Sequence, residues 1–313
     1  MKDTDAGKVI TIALIFNEIT KAQKPLFDSY FRARRYESSH YNFTNFYMWR
    51  RGFQLRWAEA DGVLYIIGEW QGKALAIQPI TEPDKWAQAV ANIIEWYKAS
   101  DQNFYFSGVE QDFADFLTSY KADGVSFILS EERDAEDYVY LADKLITLSG
   151  RKLHSKKNHL NAFRKAHPEA EYLPITPELV PACLAELESW YEHRAPEEQD
   201  DPYFTFEHDA TVEILSDFPF FGLKGGAIKL GDRVIAFTFG EALNDDTVVV
   251  HVEKADPDVR GAFPAINQGF IEHAWSDMTY VNREEDLGLE GLRKAKESYK
   301  PVTMIKKYNA VLA

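Results

Sequence analysis

The chain has 313 residues, 45% of them hydrophobic and 27% charged, which is the composition of a globular protein of about two domains. Its net charge of −15 excludes a protein that coats nucleic acid through a broadly basic surface. The single cysteine, Cys183, excludes an internal disulfide and a cysteine-based zinc cluster.

In chain order, two helices are expected first, one starting at Pro25 and one over 38–51, the latter with Phe43, Phe46, Tyr47 and Arg50 at helical spacing. Strands follow at 54–58, 64–68 and 74–77, separated by Asp61-Gly62 and Gln71-Gly72 turns. Pro83 opens a helix to about Ala99, with Trp86, Val90, Ile93, Ile94 and Tyr97 on one face. Next come a strand at 104–107, a helix at 111–120, and strands at 126–129 and 138–141. A basic helix over 152–166 closes at His167-Pro168.

The remainder repeats that order. Helices at 177–193 and 206–218 precede strands at 223–230, 234–242 and 247–253, then a helix at 261–276, a strand at 280–282, a helix at 291–299 and a last strand at 303–310. Cys183 falls in the apolar pattern of the first of these helices and reads as a buried structural thiol. The acidic stretch from Arg194 to Pro202 reads as a surface loop, a candidate lid. The implied division is an extension at 1–15, a first domain at 16–150, a basic connecting helix and strand at 151–175, and a second domain at 176–313 that carries the site. No apolar run reaches the ~18–20 residues of a membrane span. The run Val9–Phe16 lacks a signal-peptide cleavage site, so a cytoplasmic location is expected.

Three segments hold candidate chemistry. In a strand over 248–254, alternation puts Val249, His251 and Glu253 on one face and Val248, Val250, Val252 and Lys254 on the other. His251 or Glu253 is then a candidate base. Arg260 and Gly261 open a helix whose N-terminus is an anion-binding candidate, although Pro264 removes one N–H donor. Asn282, Arg283, Glu284, Glu285 and Asp286 follow a strand directly, the position where α/β folds concentrate function. Twelve of the 35 basic residues fall within 151–167 and 293–307, so the basic charge is local, and Lys152, Lys156 and Lys157 are candidate phosphate ligands. No metal-binding spacing, P-loop, nucleophile elbow or dinucleotide fingerprint is present.

Four stretches carry a resemblance: FTNFYMWR from Phe43, GRKLHSKKNHLNAF from Gly150, HVEKAD from His251 with RGAF and INQGF after it, and YVNREEDLGLEGLRKAKESYKP from Tyr280. In them the chain resembles a bacterial family related to the C-terminal catalytic domain of phosphatidylglycerol lysyltransferase, from about Phe16 to the end. The resemblance implies an α/β (α+β) architecture of tandem GNAT-like domains, each a mixed central sheet flanked by helices. It also implies an aminoacyl- or acyltransferase acting on an amine or hydroxyl. Tyr299, after Asn282, is similar to the tyrosine that protonates a leaving thiol in acetyltransferases, with an acidic insertion between them. Lys254, Arg260, Gly261, Asn282, Arg283, Glu284, Asp286 and Lys296 are the expected donor and acceptor ligands. Aminoacyl-tRNA is expected as donor over acetyl-CoA or another acyl-CoA, with no tightly bound cofactor. The acceptor is expected to be a small molecule or peptide, since the chain has no counterpart of the lysyltransferase's membrane-spanning half. The competing expectation is a catalytically inactive protein of the same fold that binds an amino acid or peptide.

Overall fold

A computed structural model describes residues 12–122, 124–193 and 201–313. Residues 194–200 of the expected lid, and the first eleven residues of the expected extension, lie outside the described residues.

The first part of the chain forms β1 (Asn17–Glu18), α1 (Lys24–Ala33), α2 (Phe43–Trp49), β2 (Arg56–Ala60), β3 (Val63–Trp70), β4 (Lys73–Ala76), α3 (Trp86–Ala99), β5 (Phe104–Val109), α4 (Gln111–Ser119), β6 (Phe127–Glu131), β7 (Asp137–Leu141) and α5 (Ala142–Thr147). Then come α6 (His154–Ala166), β8 (Glu171–Pro174), α7 (Val180–Glu192), α8 (Pro202–Ser216), α9 (Phe218–Phe221), β9 (Lys224–Leu230), β10 (Arg233–Ala242) and β11 (Thr247–Ala255). The chain ends with α10 (Ala262–Ala274), β12 (Tyr280–Asn282), α11 (Glu290–Ser298), β13 (Thr303–Ile305) and β14 (Tyr308–Leu312).

These strands form two mixed sheets of seven, ordered β1-β2-β3-β4-β5-β14-β6 and β8-β9-β10-β11-β12-β7-β13. Each is antiparallel except for one central parallel pair, β4 with β5 in the first and β11 with β12 in the second. With helices flanking both, this is the tandem GNAT-like architecture expected from the sequence. The two orders correspond position by position, but the sixth strand of each comes from the other half of the chain. Strand β7 sits between β12 and β13, and β14 sits between β5 and β6. The stretch 303–310, expected as one strand, is therefore two short strands in different sheets, parted at Lys306-Lys307.

The compact units follow the pairing rather than a single cut. One comprises 1–35, 50–132 and 307–313, and the other 36–49 and 133–306. The first has its core between α3, α4 and the sheet, where Trp86, Val90, Ile93, Phe106 and Phe113 are buried. The second has its core between α5, α6, α10 and the sheet, where Ile235, Val248, Val250, Ile266 and Phe270 are buried. Each such side chain contributes roughly 1.5–3 kcal/mol by leaving water. Helix α8 starts four residues before the expected Phe206, because the Asp201 carboxylate accepts the Tyr203 N–H at 2.9 Å and Pro202 takes the first helical position.

Candidate functional site

In the second unit β11 is a long strand with a short parallel neighbour. Pairing with β12 covers only Thr247–Val249 against Tyr280–Asn282, although β11 runs on to Ala255. Beyond Val249 the edge of β11 that faces β12 carries no strand partner among the described residues. At the same level the register with β10 slips: Phe239 faces Val252 while Gly240 faces Val250, so His251 is an extra residue in a β-bulge. Gly240 is needed there, since a Cβ would stand 2.1 Å from the Val249 carbonyl oxygen.

The bulge corrects the expected alternation. Val248, Val250 and Ala255 belong to the core under α10, and Glu253 reaches Asn267 of α10 as well. Lys254 instead reaches Glu207 of α8, with its ammonium 3.6 Å from the centre of the Trp190 ring on α7. His251 and Glu253 thus share no hydrogen-bond partner. An inserted residue shifts the side-chain parity of everything after it, and uninterrupted period-two counting cannot register that.

Two charge pairs bridge the gap between the diverging strands. The His251 imidazole lies 2.9 Å from a Glu284 oxygen through Nδ1 and 3.1 Å from a Glu241 oxygen through Nε2. Burial works against its charge, but hydrogen bonds with Glu241 and Glu284 win and raise its pKa to about 9. A raised pKa favours the imidazolium, which suits a charged anchor or proton donor better than a base. The second pair is Arg283 with Glu253. Arg283 Nη2 donates to Glu253 Oε1 at 2.9 Å, and Asn267 Nδ2 donates to Glu253 Oε2 at 2.9 Å. Burial opposes the Arg283 charge and Glu253 more than restores it.

Two buried polar atoms beside this second pair have no hydrogen-bond partner: Arg283 Nη1, a donor, and Asn267 Oδ1, an acceptor. Each costs free energy if nothing meets it. Tyr299 closes the same side, with its ring 5.0 Å from the Arg283 guanidinium and 4.4 Å from the Lys156 ammonium. Burial holds the Tyr299 phenol well above its ordinary value, so it keeps its proton. The Lys156 pKa is lowered by burial and by Arg283.

The remaining candidate residues divide by role. Asn282 is fully buried and structural, donating to Asp137 Oδ2 at 2.9 Å and accepting the Glu284 N–H at 2.8 Å. Asp286 lies outside the His251 and Glu253 groups, in a knot of its own. It accepts two bonds from Arg293 at 2.8 Å and one from the Tyr138 hydroxyl at 2.6 Å. Burial alone would raise its pKa, but Arg293 and Tyr138 pull it down to about 2. Lys296 donates to the carbonyls of Arg283, Glu284 and Glu285, and burial pulls its pKa down to about 8. It therefore fixes the turn that aims Arg283 and Glu284. Arg260, Lys152 and Lys157 are exposed.

Gly261 serves packing. At φ 92° it adopts a left-handed conformation, and a Cβ would meet the His159 carbonyl oxygen and the Phe163 Cβ, both at 2.8 Å. Helix α6 thus lies against the start of α10. The Ala262 N–H is bonded to Val259, the Ala265 N–H to Gly261, and Pro264 has none, so three of the first four positions of this helix offer no free donor. A pyrophosphate needs several. Cys183 is fully buried, and burial lifts its thiol to about 12. Among the described residues no His, Cys, Asp and Glu side chains group to hold a metal, and no helix is long and apolar enough to cross a membrane.

The sequence named both bridging pairs except Glu241, and missed Asn267, Glu207 and Trp190. Asn267-Gln268 within the otherwise apolar AFPAINQGF was the available signal, since a polar pair on a buried helix face needs partners. The aromatic and acidic residues of α7 and α8 had none, because only tertiary packing brings them to Lys254.

Comparisons with known proteins bear on the family and the fold. The model of the phosphatidylglycerol lysyltransferase C-terminal family matches residues 32–311. A crystal structure of a conserved protein of unknown function from Bacteroides thetaiotaomicron is 34% identical, with a TM-score of 0.89 over 96% of this chain and 100% of that one. The structure of L-PGS from Bacillus licheniformis shares the fold at 12% identity, with a TM-score of 0.67 over 92% of this chain and 91% of that one. An uncharacterised protein of Mycoplasmoides gallisepticum is 27% identical over 175 residues, so the match spans about half of each chain, 55% of this one and 54% of the relative.

Proposed function

The chain belongs to the phosphatidylglycerol lysyltransferase C-terminal family, and from that premise we propose that it transfers an aminoacyl group from an aminoacyl-tRNA to an amine or hydroxyl acceptor. The observation that carries this reading is the pair of unpartnered buried atoms, Arg283 Nη1 and Asn267 Oδ1, where the parallel strands diverge. A donor aimed at a carbonyl oxygen and an acceptor aimed at an amino group are what an α-aminoacyl ester needs. A simple acyl group lacks the second partner.

In this reading the acceptor's oxygen or nitrogen attacks the ester carbonyl carbon. Its proton passes to Glu253, which keeps lone pairs beyond those used by Arg283 and Asn267. Arg283 Nη1 donates to the developing oxyanion, and the charge of Lys156 lies nearby. The carbon–oxygen bond to the ribose breaks, and Tyr299 gives its proton to the leaving oxygen. His251, held charged, anchors Glu284 and Glu241 opposite. Acetyl-CoA is disfavoured as donor because Pro264 supplies no N–H at the start of α10 and the Ala262 and Ala265 N–H groups are bonded within the chain.

The second reading, a binding protein without catalysis, rests on the same contacts: His251 and Arg283 are each held in an ion pair, with Glu284 and Glu253. Incubation with pools of charged tRNA bearing labelled amino acids separates the two. Transfer of label to an amine or hydroxyl compound supports the first. Thermal stabilisation by free amino acids without any labelled product supports the second.

A further inference from the structure

A cavity of about 230 Å³ opens in the second unit between α6, β8, β9 and α10, apart from the Glu253–Arg283 pair. Its apolar wall includes Leu160, Ile228 and Ala265. Around that wall stand rings and hydrogen-bonding edges. Phe163 and His167 lie 5.2 Å apart along α6, and Tyr172 stacks on His273 with centroids 4.5 Å apart. Arg164 Nη2 donates to Gln268 Oε1 at 3.0 Å, and Gln268 Nε2 donates to Glu272 at 2.7 Å. Tyr172 is held in place by two glycines. A Cβ on Gly226 would stand 2.2 Å from the Tyr172 hydroxyl, and one on Gly269 would stand 2.9 Å from its ring. The transfer chemistry uses none of these residues.

The cavity is smaller than the ~300–1,000 Å³ typical of pockets for drug-sized ligands and suits one flat ring. An aliphatic side chain would leave the guanidinium, amide and carboxylate edges unread. A flat heterocycle with donors and acceptors on its rim uses both the rings and the edges, which is how proteins take unpaired bases of single-stranded RNA. Beside the cavity, α6 exposes Lys157, Arg164 and Lys165, a local basic track on a chain of net charge −15. On α6, Arg164 lies eight residues beyond Lys156, about 12 Å along the axis, and Lys156 sits over Tyr299.

We propose that this cavity binds an unpaired nucleobase of an RNA strand whose phosphates follow α6. The identity of that strand rests on the aminoacyl-tRNA reading: if its aminoacylated end lies at the Glu253–Arg283 pair, a base upstream of that end enters the cavity. Base binding itself requires no transfer.

The test titrates the full chain at low salt with a fluorescent single-stranded RNA trimer and with the same trimer made abasic at one position at a time. Phosphate contacts are common to both, so the difference reads the base. At least tenfold weaker binding is expected for one abasic position, in line with base–aromatic stacking. The same loss is expected in Ala265→Phe, which fills the cavity from its wall. Should Ala265→Phe melt early, Tyr172→Leu replaces it. Equal affinity for the intact and all abasic trimers, or unchanged affinity in a folded Ala265→Phe, overturns the proposal. Base-dependent binding without transfer from any charged tRNA upholds the cavity and refutes the aminoacyl-tRNA reading. Transfer with unchanged KM in Ala265→Phe does the opposite.

Discussion

The two sheets have one strand order and one parallel pair each, yet they treat that pair differently. In the first, Ala74–Ala76 runs beside Phe104–Phe106, and the space around it is filled by rings such as Tyr97 stacked on Phe104 at 4.3 Å. Beyond the pair Gln78 accepts the Glu110 N–H at 3.0 Å, and the buried Glu110 carboxylate lies 3.9 Å from the Arg34 guanidinium. In the second, an equally short parallel pair is followed by a bulge and by two half-buried ion pairs, His251–Glu284 and Glu253–Arg283. Buried charges are no gain in stability over packed hydrocarbon. On the proposed reading the second unit carries the chemistry and the first serves as scaffold.

Replacing charge by hydrocarbon is the strongest way to break that comparison. Arg283→Ala leaves the Glu253 carboxylate unpaired and should cost about 3–5 kcal/mol, seen as a lower denaturant midpoint. The double change Glu253→Leu with Arg283→Leu should recover most of that loss while abolishing transfer. Recovery of stability together with retained transfer would mean that the charges are not the chemical site.

Two pH dependences sharpen it, both confined to the second unit. Asp286 has a pKa lowered from 3.8 to about 2. Its stabilisation is full above the unfolded value and lost as pH falls through about 2. Asp286→Asn should therefore lower the denaturant midpoint at pH 6 and flatten its fall below pH 4. His251 has a pKa raised from 6.5 to about 9. Its contribution is complete below the unfolded value and disappears as pH rises through about 9. In His251→Gln the stability should lose its decline across that window, measured by denaturation between pH 6 and 10.

The smallest structural effect is expected on α6. Lys152→Glu with Lys157→Glu changes two exposed side chains and should alter stability by about 0.5 kcal/mol or less. It should abolish tRNA binding at low salt, measured by fluorescence anisotropy. Lys156 is left out because its ammonium sits over the Tyr299 ring.

The elements were legible because each writes its own periodicity. Tyr280–Asn282 has the expected bounds, and β10 starts one residue before the expected Val234. Pairing was not, since nothing local in Tyr138–Leu141 says which sheet it joins, and Met304 and Ala310 sit six residues apart in different sheets. At the site, HVEKAD and NREED named the charged residues, but not which of them meet. The bulge at His251 decided that, and it depends on Gly240 across the ladder.

The central claim is that the Glu253–Arg283 pair performs transfer. The most direct measurement is single-turnover release of labelled amino acid from charged tRNA to acceptor, comparing the native chain with Glu253→Gln. This variant keeps the size of the side chain and an oxygen for one of its two hydrogen bonds, and removes its charge and basicity. The account predicts a rate lower by roughly 10²–10⁴-fold with tRNA affinity unchanged. An unchanged rate in folded Glu253→Gln would contradict it.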